Sequence, residues 1–291
     1  MSGVLRWLLG SPLRMGLVAA ALSLSRLFDL FGAAVIALAT LRAGLGGAAL
    51  VLAIAAPVVI AVSLVSGAGM MLALAVFTLW LPVIGLSLVL RRTGSLALMT
   101  QAAALLAALV VAAWFGLAAD PLASIRTLLQ EFLLPLMGAD DVPAERIEAI
   151  AAMMPASMAG AAVLLTSVTV MLGRWWQAIV YNPGGFRHDF HRLRQGRVAA
   201  ALVAAVVLVA FLTGHPVAGV FAYTGAVTLL LQGLAMVHGV VAAGGQPAAW
   251  LWGMYALMFF LPLPAAILLA FAGGVDNWLD LRRHAGLDAD R

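Results

Sequence analysis

Arg26 and Asp29 stand three residues apart in an otherwise apolar stretch, a spacing that puts both on one face of a helix. An ionised pair at membrane depth is costly and marks a solute site or a proton path; at a hairpin turn the same pair meets headgroups and water. Thr224, Thr228 and Gln232 recur every four residues along one helical face, with His238 a turn and a half beyond. Such a stripe either faces a solute or hydrogen-bonds to neighbouring helices. Gln101, alone in an apolar helix, poses the same choice. Arg26, Asp29, Gln101, Thr228, Gln232 and His238 are therefore the candidate ligand-binding groups.

Other chemistry is argued against by its surroundings. His188, Asp189 and His191 invite a metal reading, yet five arginines between residues 174 and 197 would repel a cation from them. Ser157 and Ser167 have no general base or elbow motif nearby. The chain has neither a Walker A pattern nor any lysine, so it is not a conventional nucleotide engine. The expectation is a protein without enzymatic activity, cofactor or metal.

The elements that position these groups follow from composition. Hydrophobic residues make up 65% of the 291 and charged residues 10%, with a mean hydropathy of +1.10. Ordinary soluble domains have about 45–50% and about 25%. Lipid is therefore the solvent, and the absence of cysteine removes a disulfide-stapled secreted scaffold. All 16 basic residues are arginine, against 12 acids, for a net charge of +4. They are spread between apolar blocks and read as topology signals, not as a face for nucleic acid.

A helix needs about 20 apolar residues to cross the ~30 Å hydrocarbon layer. Residues 43–90 carry no charge and hold two helices, with a turn marked by Ser63, Ser66, Gly67 and Gly69. Residues 93–119 supply one more, and residues 149–173 another with Pro155 near its start. Residues 198–275 hold three, divided at Thr213-Gly214-His215-Pro216 and Gly244-Gly245-Gln246-Pro247. Residues 15–41 form one span or a hairpin of two short arms turning near Arg26 and Asp29. The expected fold is thus all-α, a single integral membrane domain over residues 1–291 with eight hydrophobic segments, or nine.

Two stretches lie outside that bundle. Residues 120–148 begin with the cap Asp120-Pro121, and Leu122, Ile125, Leu129, Phe132, Leu133 and Leu136 recur at helical spacing up to Gly138. This predicts an amphipathic helix on the external membrane surface, followed by the acids Asp140, Asp141, Glu145 and Glu148. Residues 174–197 form the basic cytoplasmic loop. There Trp175 and Trp176 fit the interfacial belt, Asn182-Pro183-Gly184-Gly185 makes a turn, and Phe186, Phe190 and Leu193 share a face opposite Arg187, Arg192 and Arg194. Trp175, Trp176, Arg187, Phe190, Arg192 and Arg194 are the expected lipid-interface residues. Counting sides outward from this loop puts Arg91, Arg92 and Arg42 inside. It puts Arg6 and Arg14 inside only if residues 15–41 go in and come back, so a bent or re-entrant hairpin is expected. The same count leaves Arg282 and Arg283 outside unless Pro262 and Pro264 turn the last segment back.

The run Tyr181-Asn182-Pro183-Gly184-Gly185-Phe186, followed by His191, Leu193 and Arg194, resembles the YybS-like family of bacterial multi-pass membrane proteins. Thr40-Leu41-Arg42-Ala43-Gly44 and Asp276-Asn277-Trp278-Leu279-Asp280-Leu281-Arg282-Arg283 extend the resemblance over nearly the whole chain. A basic pair found in many relatives is missing from residues 242–246. The resemblance implies a bacterial inner-membrane location and a distant, fold-level similarity to the substrate-capturing subunits of energy-coupling-factor transporters. That similarity implies a membrane coupling protein and ATPases on other chains as partners, beside membrane lipids. Two functions follow as expectations: a solute-binding or transport subunit, or a scaffold whose basic loop holds lipid or a soluble partner. A polar cavity reached from outside favours the first, and polar groups paired helix to helix favour the second.

Overall fold

The computed structural model describes residues 1–25, 27–66, 70–136, 138 and 142–284. Arg26, the turn glycines Gly67 and Gly69, and the acids Asp140 and Asp141 lie outside them. The described residues form helices and no strand: α1 (Ser2–Leu9), α2 (Pro12–Ser23), α3 (Asp29–Val65), α4 (Met70–Thr93), α5 (Leu96–Leu117), α6 (Ala123–Leu128), a π-turn (Leu129–Leu133), α7 (Leu134–Leu136), α8 (Ala144–Tyr181), α9 (Gly185–His191), α10 (Arg197–Thr213), α11 (Pro216–Ala243), α12 (Ala249–Phe260), α13 (Pro262–Leu279) and α14 (Leu281–His284). Among them, α3, α4, α5, α8, α11 and α13 are six helices long and apolar enough to cross a membrane. The pair α1 and α2, bent by 113°, makes a seventh if counted as one span. This fits a multi-pass membrane protein, with fewer full-length spans than the eight or nine segments expected. The shortfall has a structural cause: α2, α10 and α12 are apolar but have 12, 17 and 12 residues. At 1.5 Å per residue the 12-residue helices cover about 18 Å, well under the hydrocarbon thickness.

The chain divides into two compact units, one of residues 1–103 and 164–194, the other of residues 104–163 and 195–291.

In the first unit, residues 15–41 do not form one span. Pro12 opens α2 behind the cap Ser11, whose hydroxyl accepts from the Leu13 N–H at 3.2 Å, and the chain breaks after Ser23. It resumes at Asp29 in α3, where Gly32 packs against Ala19 and Ser23 of α2 with no room for a side chain. That contact requires an antiparallel return straight after the break, so the two short arms exist. α3 then breaks again at Gly44, whose φ of 68° and ψ of −152° suit only glycine. A β-carbon on Gly47 would meet the Ala39 carbonyl oxygen at 2.6 Å, although a straight helix would hold residues eight apart about 12 Å from each other. The chain therefore folds back at Gly44. The arm before it is buried on every side from Ala33 to Leu41, which is why its sequence is apolar but for Thr40, whose hydroxyl donates to the Ile36 carbonyl at 2.8 Å. Gly173 of α8 lies against Ala34, Ala37 and Leu38 of that arm, and Trp80 of α4 donates to the Ser23 hydroxyl at 3.2 Å.

In the second unit, α11 and α13 cross where Gly233 meets Leu269 and Gly273 meets Leu229, backbone to backbone. α10 and α11 divide at Gly214, in the left-handed conformation with a φ of 63°. The last apolar segment, read as one helix, is two, because the non-helical Leu261 and the N1 proline Pro262 separate α12 from α13. α8 starts at Ala144, so Pro155 sits well inside a 38-residue helix, not near its start. The amphipathic segment is helical, but α6 starts at Ala123 behind Leu122, two residues later than the cap Asp120-Pro121 predicts; Asp120 accepts from the N–H groups of Leu122 and Ala123 at 3.0 and 3.1 Å in the turn that leads into it. Ile125 and Leu129 bury against Trp114, Ile147 and Ala151. The π-turn shifts the register after Leu129, leaving Phe132 and Leu136 exposed, contrary to the single face expected.

Candidate functional site

The first unit contains a polar recess of about 610 Å³, lined by Leu41, Leu90, Arg91, Gly94, Arg174, Gln177, Tyr181, Asn182 and Asp189. Its formation follows from the broken helix. Ending an α-helix at Gly44 leaves carbonyl groups without intrahelical partners. Arg91, at the C-terminal end of α4, donates Nη1 to the Leu41 and Arg42 carbonyls, both at 2.6 Å, and Gln177 donates Nε2 to Leu41 at 3.4 Å. A cation at the negative end of a helix is also favoured by the helix dipole. Arg174, Gln177 and Tyr181 are spaced three and four apart on α8 and so share one face. Arg174 bonds Asp189 of α9 through Nη2 at 2.8 Å and the Gln177 side-chain oxygen through Nη1 at 3.4 Å. The turn between α8 and α9 brings Asp189 into place: Asn182 accepts from the Gly185 N–H at 2.9 Å, and Gly184 has a φ of 87°. The lining thus carries two guanidinium groups, one carboxylate and three neutral polar side chains.

Around the recess, Phe186 and Phe190 stack at 5.8 Å on α9, while Arg187 and Arg192 are exposed. Trp175 is exposed, whereas Trp176 stacks on Phe31 at 6.4 Å and is half-buried. Arg194 is also half-buried, and Leu193 is buried. His188 Nδ1 lies 3.7 Å from Asp189, whose other oxygen is held by Arg174.

The second unit holds a polar cluster of a different kind. Gln232 accepts from the Gln195 backbone N–H at 2.8 Å and from Asn277 Nδ2 at 3.3 Å, and its own Nε2 donates to Asp276 at 3.4 Å. Asp276 pairs with Arg282 at 3.1 Å and accepts from the Leu281 N–H at 3.1 Å. Asn277 accepts from the Gly196 N–H at 2.9 Å and donates to the Gly273 and Gly274 carbonyls at 3.1 and 3.0 Å. Gln195 donates Nε2 to the Thr228 carbonyl at 3.1 Å. Gln232 and Asp276 are fully buried and Arg282 is 3% exposed.

Of the candidate ligand-binding groups, Thr228 and Gln232 come together here, but facing helix partners; the Thr228 hydroxyl donates to the Gly225 carbonyl at 2.7 Å. His238 bonds the Leu234 carbonyl at 2.8 Å and the Tyr255 hydroxyl at 3.1 Å. Thr224 donates to the Phe221 carbonyl at 3.2 Å. Asp29 is the first residue of α3, beside the hairpin turn, where a carboxylate favours the positive end of the helix dipole. Gln101 is half-buried in α5. Neither Asp29 nor Gln101 is among the described residues lining the recess. Sequence reasoning took Arg91 and Arg174 as topology signals and passed over Gln177 as a site residue. The i, i+3, i+7 spacing of Arg174, Gln177 and Tyr181 was the signal that could have found this face.

The chain matches no family model, no curated protein and no solved structure.

Proposed function

We propose that the protein is a solute-binding or transport subunit of a bacterial cytoplasmic membrane, with the recess of the first unit as its binding site. The observation that carries this reading is a 610 Å³ cavity with Arg91, Arg174, Gln177, Tyr181, Asn182 and Asp189 in its wall, in a unit whose central helical arm is buried and, Thr40 apart, apolar from Ala33 to Leu41. Ligand sites combine a concave volume of this size with a few convergent polar groups. The arginines at the rim assign this end to the cytoplasm by the charge rule, so solute is met at the inner face and not in a cavity entered from outside. The YybS-like resemblance and the likeness to energy-coupling-factor capture subunits belong to the same reading. They supply its partners: membrane lipids, a membrane coupling protein and ATPases on other chains. The protein binds its solute without chemistry on it.

The scaffold reading is favoured by a separate observation, the pairing of Thr228, Gln232 and His238 with neighbouring backbone and side chains in the second unit. A metabolite screen by thermal stabilisation of the purified full chain in detergent decides between them. A ligand that binds only the folded form raises the melting temperature. Binding predicts at least one stabilising solute whose effect is lost in Arg174→Gln; scaffolding predicts none.

A further inference from the structure

We infer that the recess of the first unit takes a phosphate-bearing ligand, with Arg91 and Arg174 as its oxyanion-binding groups; this rests on the proposed binding role of that recess. The sign of the charge comes first. Two arginines and one aspartate line the cavity, and Tyr181, Gln177 and Asn182 add hydrogen-bonding capacity without charge. A cationic solute would face a net positive wall, whereas an oxyanion would complete its charge balance.

The arginine geometry points the same way. A guanidinium has five N–H donors in a planar fork. Arg91 fixes one end of its fork by giving Nη1 to two carbonyls at 2.6 Å, while its Nε and Nη2 make no hydrogen bond to the described residues. Arg174 is held through Nη2 by Asp189 and through Nη1 by Gln177, and its Nε is likewise unengaged. Both cations are therefore anchored by part of the fork and keep other donors available in the wall of one cavity. This is how arginine is pre-organised for phosphate, since the ordering cost is met before the ligand arrives. The Arg174–Asp189 pair does not remove this capacity, because one acid is set against two guanidinium groups.

The same chemistry has two sources: a free phosphate compound, or the headgroup of an anionic phospholipid. The test uses the full chain in two arms. In detergent, equilibrium dialysis measures binding of radiolabelled inorganic phosphate. In nanodiscs of phosphatidylcholine doped with phosphatidylglycerol, the phosphatidylglycerol retained after exchange against pure phosphatidylcholine is counted per chain. The inference expects saturable binding near one equivalent in at least one arm. Arg91→Gln and Arg174→Gln should each weaken it on the order of tenfold or more, the loss of charge-assisted hydrogen bonds. Arg283→Gln, an exposed arginine of the second unit, should leave it unchanged.

Because Arg91→Gln also removes the cap on the broken helix, Arg91→Lys and Tyr181→Phe are measured beside it. The lysine keeps a cation for the carbonyls but loses the fork, so a folded Arg91→Lys chain with weakened binding supports the inference. Phosphate binding alone assigns the free compound, and retained phosphatidylglycerol alone assigns the lipid. Binding in neither arm, or binding indifferent to both arginines, overturns the inference. In that event an uncharged solute that stabilises the chain and loses its effect in Gln177→Ala would leave the binding role standing, whereas no stabilising solute at all would remove both.

Discussion

The two units contain the same polar ingredients and use them in opposite ways. In the second unit Asp276 receives Arg282, Gln232 and the Leu281 N–H, and Asn277 is engaged at both ends of its amide. Gln232 and Asp276 there are fully buried, and the bonding ties α11 to α13 and both to the segment before α10. In the first unit Arg91 and Arg174 also meet carbonyls, an amide and a carboxylate, but around an open volume and with part of each guanidinium unspent. Polar groups in an apolar bundle thus serve two purposes, buried in the second unit and open to the recess in the first, and the balance of donors against acceptors tells them apart. A closed network specifies how helices pack, while unspent donors around a void specify what can enter.

The largest expected effect comes from opening the closed network. Asp276→Ala leaves Arg282 charged and buried without its carboxylate, a loss of about 3–5 kcal/mol for a buried pair broken on one side. Thermal unfolding in detergent should show it as a large fall in melting temperature, and a variant within a degree of the parent would mean that the network is not structural. Next comes the break that frees the carbonyls at the recess. Gly44→Ala forces a side chain into a conformation reserved for glycine, at a cost of about 1–3 kcal/mol, and should displace Arg91 from its carbonyls. Stability and solute binding should therefore fall together in Gly44→Ala, whereas in Asp276→Ala the residual folded protein should still bind. Equal loss of binding in both would erase the distinction between the units.

The smallest effect is at the loop of the second unit where Arg126 bridges Asp120 at 2.7 Å and Glu148 at 2.6 Å. The hydrogen bond from Arg126 holds the Asp120 carboxyl below its usual range. A depressed folded pKa contributes stability above the unfolded value and loses it as pH falls through the folded one. Asp120 is exposed and Arg126 half-buried, so solvent screens the pair and the loss is local. The hydrogen-exchange protection of the Leu122 and Ala123 amides, measured against their intrinsic rates at each pH, should fall on acidification below the ordinary carboxylate range. An Asp120→Asn chain should not show that pH dependence.

Much of this architecture is legible in the residues. Uncharged runs mark the apolar helices, Asn182-Pro183-Gly184-Gly185 and Thr213-Gly214-His215-Pro216 mark two turns, and Asp120 announces the turn that leads into the amphipathic helix. The fold-back at Gly44 falls at the boundary that Arg42 marks between residues 15–41 and 43–90, but the close approach of Gly47 to Ala39 that makes it tight was not legible there. The split at Leu261 was legible only as an alternative carried by Pro262 and Pro264, because proline suits the first turn of a helix as well as a break. The stripe Thr224, Thr228 and Gln232 was legible as a face, but not as a closed one. Its partners Gln195, Asp276 and Asn277 lie 33 to 45 residues away, and sequence spacing carries no information about them. The recess was invisible for the same reason: Leu41 meets Arg91 and Gln177, which lie 50 and 136 residues further along the chain.

The most direct test of the binding site is ligand-induced stabilisation measured in paired variants. For any solute that raises the melting temperature of the parent chain, the account predicts that Arg174→Gln abolishes the rise while Thr228→Val, in the closed network, preserves it. A rise that survives Arg174→Gln and disappears in Thr228→Val would place the solute in the second unit and contradict the account.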